Sequence, residues 1–327
     1  MSENENLLIV DDLKTYFYTK AGIVKAVDGV SFTVKAGEAL GIAGESGCGK
    51  SVTCASVMRL LPKPAGRIVG GKIIFDGEDL LAKTKSEMTA IRGKKIGMIL
   101  QDPLMSLNPV YTIGDQVGET FRLDKLRGAI VKQKSINVLS SVNIPSAVER
   151  LGSYPFQFSG GMRQRTSAAI AIARSPKLLI ADEPTTSLDV TIQDQFLKLL
   201  KELQRNNNMA LIMVTHDLGI VAEVCDRVAV MYAGRIVETG TVKRVYENPG
   251  HPYTQALMQA IPRLGKKTRR LFQIEGEPPN PAKLPTGCYF HPRCFKVMDI
   301  CRTEYPPTFN IDNDGYVACW LLKKGDA

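Results

Sequence analysis

The octapeptide Gly44-Glu45-Ser46-Gly47-Cys48-Gly49-Lys50-Ser51 satisfies the pattern G-x-x-x-x-G-K-[ST] without a mismatch. Glycines at these positions let backbone N–H groups converge on phosphate oxygens, and a helix opening at the lysine adds its partial positive charge. Lys50 would then reach the β- and γ-phosphates of a nucleotide, and the Ser51 hydroxyl would ligate Mg²⁺. The candidate contacts of this loop are Ser46, Gly47, Cys48, Gly49, Lys50, Ser51 and Val52. A second stretch, Leu178-Leu179-Ile180-Ala181-Asp182-Glu183, is apolar and ends in two acids. A buried strand carrying a carboxylate at its C-terminal end complements a phosphate loop: Asp182 would hold Mg²⁺ and Glu183 would polarise the attacking water. In a third stretch, Phe158-Ser159-Gly160-Gly161-Met162, a serine and two glycines open a helix and form another anion-binding terminus. One nucleotide needs one phosphate loop, so this terminus serves another nucleotide or another subunit. Cys48 supplies a small side chain within the loop. A thiol at a helix N-terminus is also open to acidification, and its oxidation would block nucleotide binding.

Strands alternating with helices must position these groups. Residues 7–43 alternate apolar and polar positions and read as short strands separated by Gly22, Gly29 and Gly37. The apolar run 39–43 is a buried strand feeding the glycine-rich turn, and a helix over 51–61 stops at Pro62. Further strands are expected at 72–75, 96–100, 178–181, 210–214, 227–232 and 235–239. Helical patterns occupy 113–150, 160–174, 192–206 and 218–225. This alternation predicts an α/β fold with a mostly parallel sheet covered on both faces. Composition shifts near 245–250, where proline becomes frequent, so a boundary is expected there.

The 327 residues allow about two domains. Hydrophobic residues make up 44%, which excludes wholesale disorder. No apolar run approaches the ~20 residues that cross a bilayer. The N-terminus (Ser2, Glu3, Asn4, Glu5) lacks the basic and apolar regions of a secretory signal, so a cytosolic chain is expected. The net charge of +9 suits nucleic acid, anionic lipid or nucleotide phosphate, and its densest run is Lys266, Lys267, Arg269 and Arg270.

The three motifs together resemble the nucleotide-binding subunits of ABC transporters. Their signature is usually written Leu-Ser-Gly-Gly-Gln; Phe158 and Met162 depart from it at the outer positions, and the Met form is similar to that of peptide-transporter ATPases. The resemblance covers about residues 7–245 and implies further roles. Gln101 matches the Q-loop glutamine that touches Mg²⁺ and faces the membrane subunits. Ser187-Leu188-Asp189 matches the D-loop that crosses the dimer seam. His216 matches the switch histidine on the γ-phosphate. Phe17 is the aromatic expected to stack on adenine, with Tyr16 and Tyr18 as register alternatives. Two cassettes would meet head to tail, each ATP lying between the phosphate loop of one and Ser159, Gly160, Gly161 and Met162 of the other. The implied fold is a P-loop NTPase ABC cassette over 1–247. It would have a parallel sheet core, an antiparallel β subdomain and a helical subdomain at about 102–174.

His251-Pro252-Tyr253-Thr254-Gln255-Ala256-Leu257 and His291-Pro292-Arg293-Cys294 resemble the C-terminal extension of oligopeptide and dipeptide transporter ATPases, here 248–327. His251 reads as a capping residue. Within the extension Cys288, Cys294, Cys301 and Cys319 are spaced C-x5-C-x6-C-x17-C. No C-x-x-C knuckle is present, so common zinc patterns do not fit, whereas four thiolates suit a [4Fe–4S] cluster. Some peptide-transporter ATPases carry such a cluster there. Zinc, His291 in place of one thiolate, and reduced or disulfide-bonded thiols stay open. A metal would staple a loop-rich segment that buries little core alone.

The function this implies is the ATP-hydrolysing subunit of an importer of dipeptides or oligopeptides, lying on the cytoplasmic face of the membrane. The partners are two permeases, a second ATPase or another copy, and indirectly an external binding protein. An importer of nickel or another small solute is the alternative. An ABC ATPase acting on nucleic acid is disfavoured: only about 57 residues separate Gln101 from Phe158, too few for the long coiled coil of the DNA-repair types. A non-hydrolysing regulatory subunit is disfavoured because both acids are present.

Overall fold

Continuous alternation between residues 6 and 35 builds long strands, and apolar runs bounded by glycine build short buried ones. The computed structural model describes residues 6–102, 106–186, 188–261, 272–312 and 315–323. The charged run at 266–270, Ser187 and the polar stretch at 2–5 lie outside them. In chain order the elements are β1 (Asn6–Thr19), β2 (Gly22–Lys35), β3 (Ala39–Ala43), α1 (Lys50–Val57), β4 (Gly66–Phe75), β5 (Glu78–Asp79), α2 (Lys85–Ile91) and β6 (Ile96–Ile99). Next come α3 (Ile113–Arg122), α4 (Gly128–Ser141), α5 (Ala147–Arg150), α6 (Gly160–Ile172), β7 (Leu178–Asp182), α7 (Val190–Asn206), β8 (Ala210–Thr215) and α8 (Leu218–Val224). The chain continues with β9 (Arg227–Tyr232), β10 (Arg235–Thr241), α9 (Val242–Glu247), α10 (Pro252–Ala260), α11 (Ile300–Thr303), β11 (Phe309–Asp312) and β12 (Gly315–Val317). No helix among the described residues is long and apolar enough to cross a membrane. The chain divides into two compact units, one from 1–34, 40–81 and 215–327, the other from 35–39 and 82–214.

In the first unit β2, β1, β4 and β5 form a sheet in that order, with β1 and β4 antiparallel from Leu8↔Phe75 to Phe17↔Gly66. Ahead of β3, the short strands expected from residue 7 on are instead two strands of 14 residues each. Gly22 and Gly37 flank them, but Gly29 (φ +93°) lies inside β2, where buried Val27, Val30, Phe32 and Val34 keep the alternation going. A second ladder orders β11, β12, β10, β9 and β3, with β3 parallel to β9. Every residue of β3 is buried, as its apolar run requires. Helix α1 stops four residues before the expected Leu61. Arg59 adopts the left-handed conformation, and Arg59 and Leu60 donate to the carbonyls of Ser56 and Ala55, a Schellman stop without glycine.

The second unit holds β8, β7 and β6 as a parallel ladder, Ile96 opposite Leu178 and Leu178 opposite Ala210. All residues of β7 and β8 are buried. Helix α7 turns Phe196, Leu197, Leu200 and Leu203 inward at helical spacing.

The extension is part of the first unit and packs against its strands. β12 pairs with β10, and Tyr289 donates to Asp28 of β2 at 2.9 Å. Tyr16 and Arg235 also donate to Asp28. Burial opposes charge on this carboxyl, but the three hydrogen bonds outweigh it and hold the group below the ordinary aspartate range. Arg235 in turn lies over the rings of Tyr289 and Tyr305, 5.2 and 4.1 Å from their centroids. His251 caps α10: its Nδ1 accepts the Tyr253 N–H at 3.0 Å. Burial pushes its pKa down to about 3. The folded protein therefore keeps His251 neutral while the unfolded chain takes up a proton below the ordinary value near 6.5. Stability from this group is complete above that pH and is lost as pH falls toward 3, with a slope of up to about 1.4 kcal/mol per pH unit. Urea unfolding between pH 7 and pH 4 should show a flatter decline for His251→Asn, which keeps a capping oxygen but does not titrate.

Candidate nucleotide site

The phosphate loop leaves the end of β3 and enters α1. Gly49 caps that helix at φ +108°, and a Cβ there would lie 2.2 Å from the Ala26 carbonyl oxygen, so only glycine fits. Gly47 (φ +78°) faces open space. Ser46 and Ser51 are exposed and Val52 is half-buried. Lys50 is only 4% exposed, and its ammonium donates to the carbonyls of Gly44 at 2.7 Å and Glu45 at 3.0 Å. Those oxygens solvate the buried cation and point it back into its own loop. Of the two readings of Cys48, the structure favours the small side chain over the acidified thiol. Its thiol is buried, and burial raises its pKa despite nearby Lys50, so it is neither acidified nor displayed to oxidants.

In the second unit Asp182 ends β7 and is 6% exposed. Glu183 follows it with φ +43°, a left-handed conformation that costs a non-glycine residue of order 1–3 kcal/mol and recurs at functional sites. Its N–H donates to the Val214 carbonyl at 2.9 Å, which pins the turn to β8. Its carboxylate accepts from Gln101 Nε2 at 2.9 Å and from the Thr186 hydroxyl at 3.1 Å. The structure thus brings Gln101 and Glu183 together across 82 residues of sequence.

Ser159 caps α6 by accepting the Met162 N–H at 3.3 Å. Gly160 is open, whereas a Cβ on Gly161 would fall 2.6 Å from Ile192 of α7. Phe158 is buried, so the departure from leucine keeps an apolar anchor, and Met162 contributes its backbone N–H to the cap. A groove beside Ser159, Gly161 and Met162 is also lined by Arg165, Gln195 and Lys198. Asp189 caps α7, accepting the Ile192 N–H at 3.0 Å. His216 is exposed directly after β8. Of the three aromatics considered for adenine, Tyr16 is tied to Asp28, and Tyr18 lies under Arg67, whose guanidinium is 5.2 Å from the ring centroid. Phe17 is half-buried opposite Gly66, where a Cβ would approach its ring to 3.0 Å.

Cys288, Cys294, Cys301 and Cys319 line one small cavity in the extension, with His251 and Phe290. All four are free thiols. Burial, with neighbouring cysteines adding to it, pushes Cys288 up to about 12 and Cys319 up to about 11. Burial also raises Cys294. Four soft sulfur donors around one cavity are the right donor chemistry for iron–sulfur or zinc. Among the described residues, no three His, Cys, Asp or Glu side chains form a group that could hold a metal ion as they stand. Sequence reasoning missed Tyr253, Tyr232 and Arg293 as neighbours of the phosphate loop: Tyr253 and Arg293 bond Glu45, and Tyr232 bonds Arg293. Only the chain fold joins positions so far apart.

Comparison with known proteins gives a consistent picture. Residues 27–186 match the ABC transporter family, and residues 237–301 match the oligopeptide/dipeptide transporter C-terminal region. The chain is 48% identical over 318 residues to the dipeptide transport ATP-binding protein DppD of Bacillus subtilis, covering 97% of this chain and 95% of that one. It is also 48% identical to the oligopeptide transport ATP-binding protein OppD of the same organism, covering 97% and 89%. Among solved structures, the dimeric post-hydrolysis state of the ATP-binding cassette MJ0796 bound to ADP and Pi is similar, with TM-score 0.64 and 25% identity over 72% of this chain and 98% of that one. CbiO1 of Clostridium perfringens, part of the ABC transporter complex cbiONQ, has TM-score 0.65 and 27% identity, covering 75% and 92%.

The buried Cys48 thiol gives a direct expectation. Cys48→Ser should bind a fluorescent ATP analogue as the parent does and lose ATPase activity to peroxide at the parent rate. Greater peroxide resistance in the variant would contradict this placement.

Proposed function

The chain belongs to the family of ABC peptide-transporter ATP-binding proteins, and from that premise we propose how its residues share the work. It is the ATP-binding and ATP-hydrolysing subunit of an ABC importer that energises peptide uptake. Three features of one chain carry the reading: an unbroken phosphate loop, a carboxylate pair whose Glu183 is oriented by Gln101, and the peptide-transporter C-terminal region.

In the proposed cycle Lys50 exchanges the Gly44 and Glu45 carbonyls for the β- and γ-phosphates of ATP. Backbone N–H groups from Ser46 to Val52 wrap the phosphates, and Phe17 stacks on adenine. Ser51, Gln101 and Asp182 supply hard oxygen donors toward Mg²⁺, which when bound neutralises charge between the phosphates. Glu183 accepts a proton from the attacking water, and its contact with Gln101 holds the carboxylate ready. His216 contacts the γ-phosphate. The capped N-terminus of α6, with Ser159, Gly160, Gly161 and Met162, stabilises charge on the ATP held by a partner ATPase, and Asp189 lies at that seam.

Family membership implies membrane permease partners and a dimer of ATPases. The proposed assembly has two permeases, a related second ATPase, and an external binding protein upstream. It places this chain at the cytoplasmic face of the membrane, without a nucleic-acid role. In this reading the cassette spans 1–247, its helical part about 102–174, and the extension 248–327. The four cysteines hold a [4Fe–4S] cluster that staples the extension. Their donor chemistry and shared cavity support this, and the four would hold such a cluster as thiolates.

Two outcomes are expected. Glu183→Gln should retain nucleotide binding while single-turnover hydrolysis falls by at least about 100-fold; undiminished hydrolysis would remove Glu183 as the base. Anaerobically purified protein should be brown, with iron and labile sulfide in equal amounts, and zinc without either would replace the cluster assignment.

A further inference from the structure

The x positions of G-x-x-x-x-G-K-[ST] are unrestricted by the motif, yet Glu45 is held from three sides. Its N–H donates to the Tyr253 hydroxyl at 2.9 Å. Its carbonyl accepts from Lys50 at 3.0 Å. Its carboxylate receives both arms of the Arg293 guanidinium, at 2.7 and 3.0 Å. The Arg293 side chain is only 5% exposed. Its remaining edges are engaged too, Nε with the Glu275 carbonyl at 3.1 Å and Nη1 with the Tyr232 hydroxyl at 3.3 Å. Tyr253 is fully buried, with ring centroids 4.6 Å from Tyr232 and 5.3 Å from Phe290. Thus a planar fork and a buried phenol, both supplied by the extension, grip the second residue of the phosphate loop.

Glu45 poses an electrostatic problem for this loop. A carboxylate beside the position of a triphosphate repels it, and the repulsion is strongest where water is scarce. Arg293 cancels that charge, and its bidentate geometry fixes the Glu45 backbone. We propose that Arg293 is a positioning residue for nucleotide binding: acting through Glu45, and assisted by Tyr253, it lets the C-terminal extension set the ATP affinity of the phosphate loop. This rests on the assignment of residues 44–51 as the ATP-phosphate site. It adds to that assignment a dependence on residues some 250 positions away.

The test uses the full-length chain, titrated with mant-ATP and assayed for ATPase activity. Arg293→Met should weaken mant-ATP binding and raise KM by about tenfold, with kcat within about twofold, because the uncompensated Glu45 charge opposes the nucleotide. Adding Glu45→Gln to Arg293→Met should restore most of the affinity, which a merely structural role for Arg293 would not permit. Tyr253→Phe, which removes only an oxygen, should weaken binding severalfold without lowering the melting temperature comparably. Parent-like affinity in Arg293→Met, or no rescue by Glu45→Gln, overturns the proposal. If Arg293→Met does not fold, Arg293→Lys decides: it keeps the charge but not the fork and should show a partial loss, and parent-like affinity there overturns the proposal equally. Lys50→Ala is the control for the underlying assignment. Parent-like mant-ATP binding by that variant would remove the phosphate site itself, independently of Arg293.

Discussion

The Lys50 ammonium is buried in the loop that it must serve, and the surrounding structure follows from that placement. A charge withdrawn from water needs fixed partners, and the Gly44 and Glu45 carbonyls provide them. To aim those carbonyls inward the chain must reverse over a few residues, which calls for positive φ at Gly44, Gly47 and Gly49. A loop so bent holds its shape only if both ends are anchored. β3 anchors one end by parallel pairing with β9, and the Gly234 N–H anchors the other by donating to the Cys48 carbonyl at 2.8 Å. The partners of Lys50 are neutral oxygens, so they solvate the ammonium without competing with an incoming phosphate by charge.

A comparable economy governs Glu183. Its left-handed backbone is unfavourable for a side chain of its size, and the Val214 carbonyl and the Gln101 amide sustain it. The Gln101 amide and the Thr186 hydroxyl orient its carboxylate by donating to it. That suits the role proposed for Glu183, which is to accept a proton from water.

What could be read from residues alone tracks the range of the interactions involved. Strand β3 appears at its expected bounds, because a short apolar run closed by glycine has few other outcomes. The helix start at Ser159 and the cap role of His251 are local as well: the first accepts an N–H three residues ahead, the second two. The end of α1 is not legible in this way, because its left-handed stop falls on Arg59 and glycine is the residue that announces such stops. Gly29 misled in the opposite sense, since it sits within β2 and not at its end. The burial of Cys48 was hidden because a helix terminus argues for an acidic thiol, while the packing that opposes it arises only in three dimensions. Gln101 with Glu183, and Glu45 with Arg293, lie 82 and 248 positions apart, beyond the reach of any spacing rule.

Gly161 leaves no space between α6 and α7: its missing side chain is occupied by Ile192. The Ser159 cap begins one of these helices and the Asp189 cap begins the other. Two helices in such close contact cannot slide or rotate independently without a clash, so their starting ends travel as a rigid pair. The entropy of ordering these two termini against each other is then lost once, when the chain folds, and does not recur with every nucleotide that arrives and departs.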